Sequence, residues 1–122
     1  MTEEQMKLST DVMGADLGII SAAGYINNEG GQAIAEAAQD LMGRGCENLL
    51  IDLEGTRIIN SIGVSILLEI MEQLLDKDGR MAFCNLTPTI AKTFEIMGLV
   101  QYAAIYPDRP TAQNALAENA AP

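Results

Sequence analysis

The chain opens with two short stretches of strand-like pattern, "MKLSTDVM" at residues 6–13 and "LGIISAAG" at residues 17–24. Gly14-Ala15-Asp16 between them predicts a hairpin-like turn. "NEGG" at residues 28–31 reads as a break. "QAIAEAAQDLM" then repeats with helical spacing, placing Ile34, Ala37, Ala38 and Leu41 on one face. "GRG" at residues 43–45 closes that helix. "NLLIDL" at residues 48–53 is a continuous apolar run, which suits a strand covered on both faces and therefore central and parallel. Residues 61–76 carry the strongest helical pattern. "GRMAFCNL" at residues 79–86 predicts a further strand. Thr87-Pro88 opens a third helix, with Pro88 suited to its first turn, and "TIAKTFEIM" stops at Gly98. "YAAIY" at residues 102–106 predicts a last short strand and "TAQNALAENA" a terminal helix, with a tail expected to fray.

Strands that alternate with helices in this order predict an α/β fold, with a mostly parallel or mixed sheet of about five strands and about four helices. No repeat, linker or low-complexity segment interrupts it, so residues 1–122 are expected to form one domain.

Sites in open α/β sheets form beyond the carboxyl ends of strands, where helices begin. "TRIINSIGVSI" at residues 56–66 is such a junction. Serine and asparagine both cap helices, because a side-chain oxygen accepts from the free amides of the first turn. The local reading of Ser61 is therefore a cap worth ~1 kcal/mol. On a helical wheel Gly63, Leu67, Ile70, Met71 and Leu74 share one side, and Val64, Leu68 and Leu75 widen it. Ser65, Glu69, Glu72, Gln73 and Asp76 lie opposite. Ile62 falls among these polar residues, beside Ser61. That placement predicts a small docking surface with a modifiable hydroxyl at its edge. Gly63 lies on the core side, where close packing is the favoured reason for a glycine.

The helix start tolerates an anion, so a phosphoryl group on Ser61 would be accommodated by the fold. A partner docked over Ile62 would have to desolvate it.

Composition narrows the chemistry. Hydrophobic residues make up 48% of the chain, which excludes disorder. The net charge of -10 disfavours nucleic acid and anionic lipid and would attract a basic protein partner, although the favoured reading is that acidity only keeps the protein soluble. No apolar run is long enough to span a membrane and no signal peptide is visible, so a cytoplasmic protein without membrane insertion is expected. Histidine is absent, which removes Ser-His-Asp and Cys-His catalysis and histidine-ligated metals. Cys46 and Cys84 have no CxxC spacing and read as ordinary thiols in a reducing compartment. The seven methionines read as core filler, with Met97 packing the end of the third helix. Arg57, in the loop before Asn60, reads as a solvated arginine able to meet a phosphate on Ser61.

The chain resembles the STAS family and, within it, the bacterial anti-sigma factor antagonists. "NLLIDLEGTRIINSIGVSILLEI" is similar to the family's strand, loop and phosphoacceptor helix. "FEIMGLVQYAAIY" is similar to its second signature, and "GYIN" stands where members often have Gly-x-Leu-Asp. The likeness covers roughly residues 8–118.

The resemblance implies partner switching. The unmodified protein binds an anti-sigma factor that is also a serine kinase and so frees a sigma factor; phosphorylation breaks the complex, and a PP2C-type phosphatase resets it. It implies phosphorylation at Ser61, and partner contacts at Asn27, Asn60, Ile62, Gly63, Ser65 and Glu69. Asn60 and Asn27 replace the usual aspartates, which weakens charge attraction to a kinase. No cofactor and no metal site are implied.

Two other classes are weighed. A non-switching STAS subunit of a stress-signalling scaffold or a transporter ATPase would use Ser61 as an interface residue only. An enzyme would draw on Asp52 and Glu54, which share one side of their strand. The chain has no P-loop, dinucleotide fingerprint or metal-ligand cluster, so catalysis is not expected.

Overall fold

The computed structural model describes residues 6–120, and side chains up to residue 116. The tail expected to fray begins beyond residue 120 and lies outside the described residues. Strand β1 (Lys7–Met13) and strand β2 (Leu17–Ala23) form the predicted hairpin. Helix α1 (Asn28–Gly43), strand β3 (Asn48–Gly55), helix α2 (Ser61–Asp76) and strand β4 (Arg80–Cys84) follow. Helix α3 (Pro88–Met97), strand β5 (Ala104–Tyr106) and helix α4 (Arg109–Ala120) complete the order.

The sheet runs β1-β2-β3-β4-β5, antiparallel between the first two strands and parallel thereafter. Each strand lies beside its predecessor, always on the same side. Right-handed crossovers then place every connecting helix on one face. Accordingly, α1, α2 and α3 share one core with the front of the sheet. Ile34, Leu41, Leu67, Ile70 and Phe94 pack there on Ile20, Leu49, Ile51 and Phe83. The back face would be bare without α4. Its Ala112 and Leu116 cover Leu17, Ile19, Leu50, Ala82 and Cys84. "NLLIDL" is thus buried on both sides, as its unbroken apolar run requires.

Four sequence expectations are corrected. "NEGG" is no break: α1 starts at Asn28, because Asn27 caps it and accepts from the Gly30 amide at 2.9 Å. Gly30 and Gly31 sit inside the first turn because a Cβ there would lie 2.9 Å from the Tyr25 carbonyl and 2.6 Å from Ile66 Cδ1. Leu75 is exposed rather than part of the buried arc. Leu74 takes the core position of the last turn, and Leu75 lies about 100° further round. Ile66 is buried in its stead, since α2 packs against α1 as well as the sheet. Met97 is also exposed: Gly98 turns left-handed (φ 87°) and folds Leu99, not Met97, into the core. Finally, β5 spans only Ala104–Tyr106, because Leu99–Gln101 form a single 3₁₀ turn.

Candidate functional site

Two loops leave adjacent parallel strands and are zipped together before their helices begin. The Gly24 amide donates to the Gly55 carbonyl (3.0 Å), the Ile26 amide to Ile58 (3.0 Å), and the Asn60 amide back to Ile26 (3.1 Å). Ile26 and Ile59 form an isolated parallel bridge. Thr56 is fully buried and anchors the second loop by donating its hydroxyl to the Ala22 carbonyl at 3.0 Å. The sheet therefore continues for a few residues past the named strands.

Both loops end in the same way. Asn27 Oδ1 accepts from Gly30 N, and Asn60 Oδ1 accepts from Gly63 N at 2.8 Å. Ser61 is consequently the first residue of α2 and not its cap, which corrects the local reading. Asn60 takes two first-turn donors, Gly63 N–H through its side chain and Val64 N–H through its carbonyl. The Ser61 and Ile62 amides remain at the open end of the helix, where its dipole is positive. Ser61 is exposed, and its hydroxyl has no hydrogen-bond partner among the described residues.

The residues singled out from sequence meet here in part. Ser61, Asn60, Ile62, Gly63 and Asn27 converge on the paired helix starts. Ser65 lies one turn up, donating its hydroxyl to the Ser61 carbonyl at 3.0 Å. Glu69 lies a further turn away; both are exposed. Ile62 is 52% exposed, in keeping with its wheel position. Gly63 is buried. A Cβ there would stand 2.6 Å from the Ile26 carbonyl oxygen and 2.9 Å from Ile26 Cγ2, so close packing is the reason for the glycine.

Two surface residues escape the sequence reading. Tyr25 (41% exposed) and Ile58 (59% exposed) flank Arg57 and, with Gly24 and Gly55, line a cleft of about 440 Å³. Their signal is a shared tripeptide, Tyr25-Ile26-Asn27 and Ile58-Ile59-Asn60. In each, strand alternation exposes the first residue, turns the isoleucine inward and delivers asparagine to a cap. Tyr25, Ile58 and Ile62 thus expose apolar surface on the paired loops and on the helix start that carries Ser61.

The carboxylates considered for catalysis are arranged differently. Glu54 is exposed, whereas Asp52 is buried and fully engaged. Asp52 accepts from Arg109 Nε (3.0 Å), Asn85 Nδ2 (3.0 Å) and the Glu54 amide (3.1 Å). Arg109 also donates to Ser21 Oγ. This network ties α4 to the sheet. Burial, followed by the charge of Asp52, pushes the adjacent Cys84 thiol up to about 12. Among the described residues no group of three or more His, Cys, Asp or Glu is placed to hold a metal. Nor is any described helix long and apolar enough to cross a membrane.

The sequence profile of the STAS domain matches residues 10–112. The chain belongs to the STAS family. BtrV of Bordetella bronchiseptica, whose name assigns it to the anti-sigma factor antagonists, is 26% identical over 107 residues, 88% of this chain and 91% of its own. The anti-sigma F factor antagonist of Paenibacillus polymyxa is 28% identical over 69 residues, 57% of this chain and 59% of its own. An anti-sigma factor antagonist from Mycobacterium paratuberculosis superimposes with a TM-score of 0.79 at 21% identity, covering 91% of this STAS chain and 93% of its own. SpoIIAA, an anti-sigma factor antagonist solved in unphosphorylated and phosphorylated forms, gives TM-scores of 0.74 and 0.71 at 16% and 18% identity. The unphosphorylated form covers 92% of this chain and 98% of its own, and the phosphorylated form 89% and 99%. These structural likenesses speak to the fold alone.

Proposed function

We propose that this chain is an anti-sigma factor antagonist whose docking surface is switched at Ser61. The unmodified protein binds an anti-sigma factor that is also a serine kinase, through Ile62, Tyr25 and Ile58 with Ser65 and Glu69 at the margin. Binding frees a sigma factor. Phosphorylation of Ser61 ends the complex, and a PP2C-type phosphatase restores it. The observation that carries this reading is the exposed Ser61 hydroxyl, released from capping by Asn60 and set among exposed apolar side chains. The names of the sequence relatives support it.

The physics of the switch is local. A phosphoryl group adds about -1.5 to -2 charges and three strong acceptors. The open amides and the dipole of α2 stabilise it in the free protein. A partner covering Ile62 must strip its water. A penalty of ~3 kcal/mol weakens binding roughly 100-fold. Asn27 and Asn60 keep their capping roles but add no negative charge, so docking rests on apolar contact more than on charge attraction.

Incubation with the purified cognate kinase and ATP tests this. Mass spectrometry is expected to find one phosphate, on Ser61, with loss of the complex. Ser61→Ala is expected to bind persistently and Ser61→Glu poorly. Equal labelling of the Ser61→Ala chain would overturn the acceptor assignment. A complex indifferent to Ser61→Glu would point instead to a non-switching scaffold subunit.

A further inference from the structure

Among the described residues the sheet has two open edges, and they are protected unequally. β5 offers three residues and ends against Pro107, which is a common way to blunt an edge. β1 offers seven, with no proline and an unbroken register to β2 from Lys7↔Ala23 to Met13↔Leu17. Six of those seven residues are exposed. The Val12 amide is held by its neighbour's carboxylate, Asp11 Oδ1, at 2.8 Å, so it points away from β2. Ladder alternation then directs the backbone groups of Leu8, Thr10 and Val12 to the open edge.

We propose that β1 is the seam of a symmetric dimer, in which two copies of this chain pair their first strands antiparallel about Ser9. The side chains select both the occupant and the register. Lys7 and Asp11 are exposed, lie on the same face, and have no ion-pair partner among the described residues. Antiparallel pairing centred on Ser9 sets Lys7 of each copy opposite Asp11 of the other, twice by symmetry. Ser9 faces Ser9. These are the non-hydrogen-bonded positions, where opposing side chains approach most closely.

Leu8 and Thr10 exchange backbone bonds in the same register. Met6 faces Val12 on the front, where Met6 and Leu8 already pack against the core. On pairing, Asp11 exchanges its own-strand bond for Lys7. A shift of two residues in either direction loses both ion pairs, so the register is specified. The result is a ten-stranded sheet with α1, α2 and α3 of both copies on one face, α4 of both on the other, and the two Ser61 sites at opposite ends.

The seam is narrow, so the association is weak and requires a concentration series reaching about 1 mM in sedimentation equilibrium. The full chain is expected to pass from monomer to dimer across it. Lys7→Glu and Asp11→Lys each face like with like at two positions, and each is expected to weaken self-association about tenfold or more. Asp11→Lys is the decisive one. It lowers the net negative charge of each chain, so general repulsion alone would tighten the dimer. Mixing the two variants sets opposite charges against each other again at both cross-strand positions, and is expected to restore dimerisation as a heterodimer. Thr10→Pro removes an outward amide and is expected to leave a monomer. Far-UV circular dichroism establishes that each variant is folded, as befits exposed positions. A chain that stays monomeric throughout the series overturns the proposal. So does a dimer unaffected by Asp11→Lys, or a mixture that fails to re-form it.

Discussion

Gly63→Ala tests how tightly the helix start is built into the sheet. A Cβ at Gly63 would lie 2.6 Å from the Ile26 carbonyl oxygen, 2.9 Å from Ile26 Cγ2 and 3.1 Å from Ile59 Cγ1. The nearest of these atoms is backbone, and it accepts the Asn60 amide that begins the capping turn. It cannot rotate away. Relief requires α2 and the Ile26 loop to part by several tenths of an ångström. Overpacking of that kind costs roughly 1–3 kcal/mol. Weakening the Asn60–Ile26 bond adds about 0.5–1.5 kcal/mol. Alanine's better helix propensity returns at most about 1 kcal/mol. The net loss is therefore about 0.5–4.5 kcal/mol, centred near 2. At this chain length it lowers the melting temperature by roughly 2–20 °C. The control is Gly43→Ala, at the end of α1. A Cβ there meets nothing within 4 Å, so that change is expected to be neutral or to stabilise by a few tenths of a kcal/mol. Urea titrations of both variants followed by circular dichroism make the comparison. A Gly63→Ala chain as stable as the parent would refute the close-approach account of this junction.

Three further outcomes are expected. Asn60→Ala removes a cap and is expected to cost about 1 kcal/mol in urea titrations, whereas Ser61→Ala stays within about 0.5 kcal/mol of the parent; the reverse order would return the cap to Ser61. Arg109→Ala strands the buried Asp52 carboxylate beneath α4 and is expected to cost about 1–3 kcal/mol, discounted because the arginine is one-third exposed. Labelling of Cys84 by a thiol reagent should accelerate in the same variant, and unchanged labelling would show that α4 does not depend on the pair. For Cys84 the folded pKa of about 12 exceeds the ordinary value of 9.0, so the chain holds the proton that the unfolded state loses. Its contribution is intact below pH 9 and declines as pH rises toward 12; Cys84→Ala should flatten that alkaline slope in melts taken at pH 8 to 11.

Local pattern makes most of this fold legible. The alternation of strands and helices, the glycine turns at residues 14 and 98, and Thr87-Pro88 as a helix start are all seen in the structure. Each of those signals acts within a few residues. Leu75, Met97 and the short β5 are decided locally, but other features are hidden because the deciding contact lies far along the chain. Gly30-Gly31 looks like a break because nothing nearby shows that Ile66 crowds Gly31. The anchoring role of Asp52 is hidden because its partner Arg109 is 57 residues away. Ser61 is legible as a helix start, and Ile62 as exposed. Which of Asn60 and Ser61 caps the helix depends on where the Ile26–Ile59 bridge sets the chain. Tyr25 and Ile58 are hidden for the same reason, since their exposure follows from that bridge and not from any periodicity of their own.

The one-directional strand order bears on how the polypeptide is made. Each strand docks on one already emerged, so a growing chain can assemble the sheet in the sequence of its synthesis, without waiting for a later segment to slot between earlier ones. The exception is Arg109, which reaches back 88 residues to Ser21 and 57 to Asp52. Until it leaves the ribosome, the rear of the sheet shows Leu17, Ile19 and Leu50 to the solvent. Closure of that surface waits until the five strands are already made, and a product truncated before residue 109 would lack it.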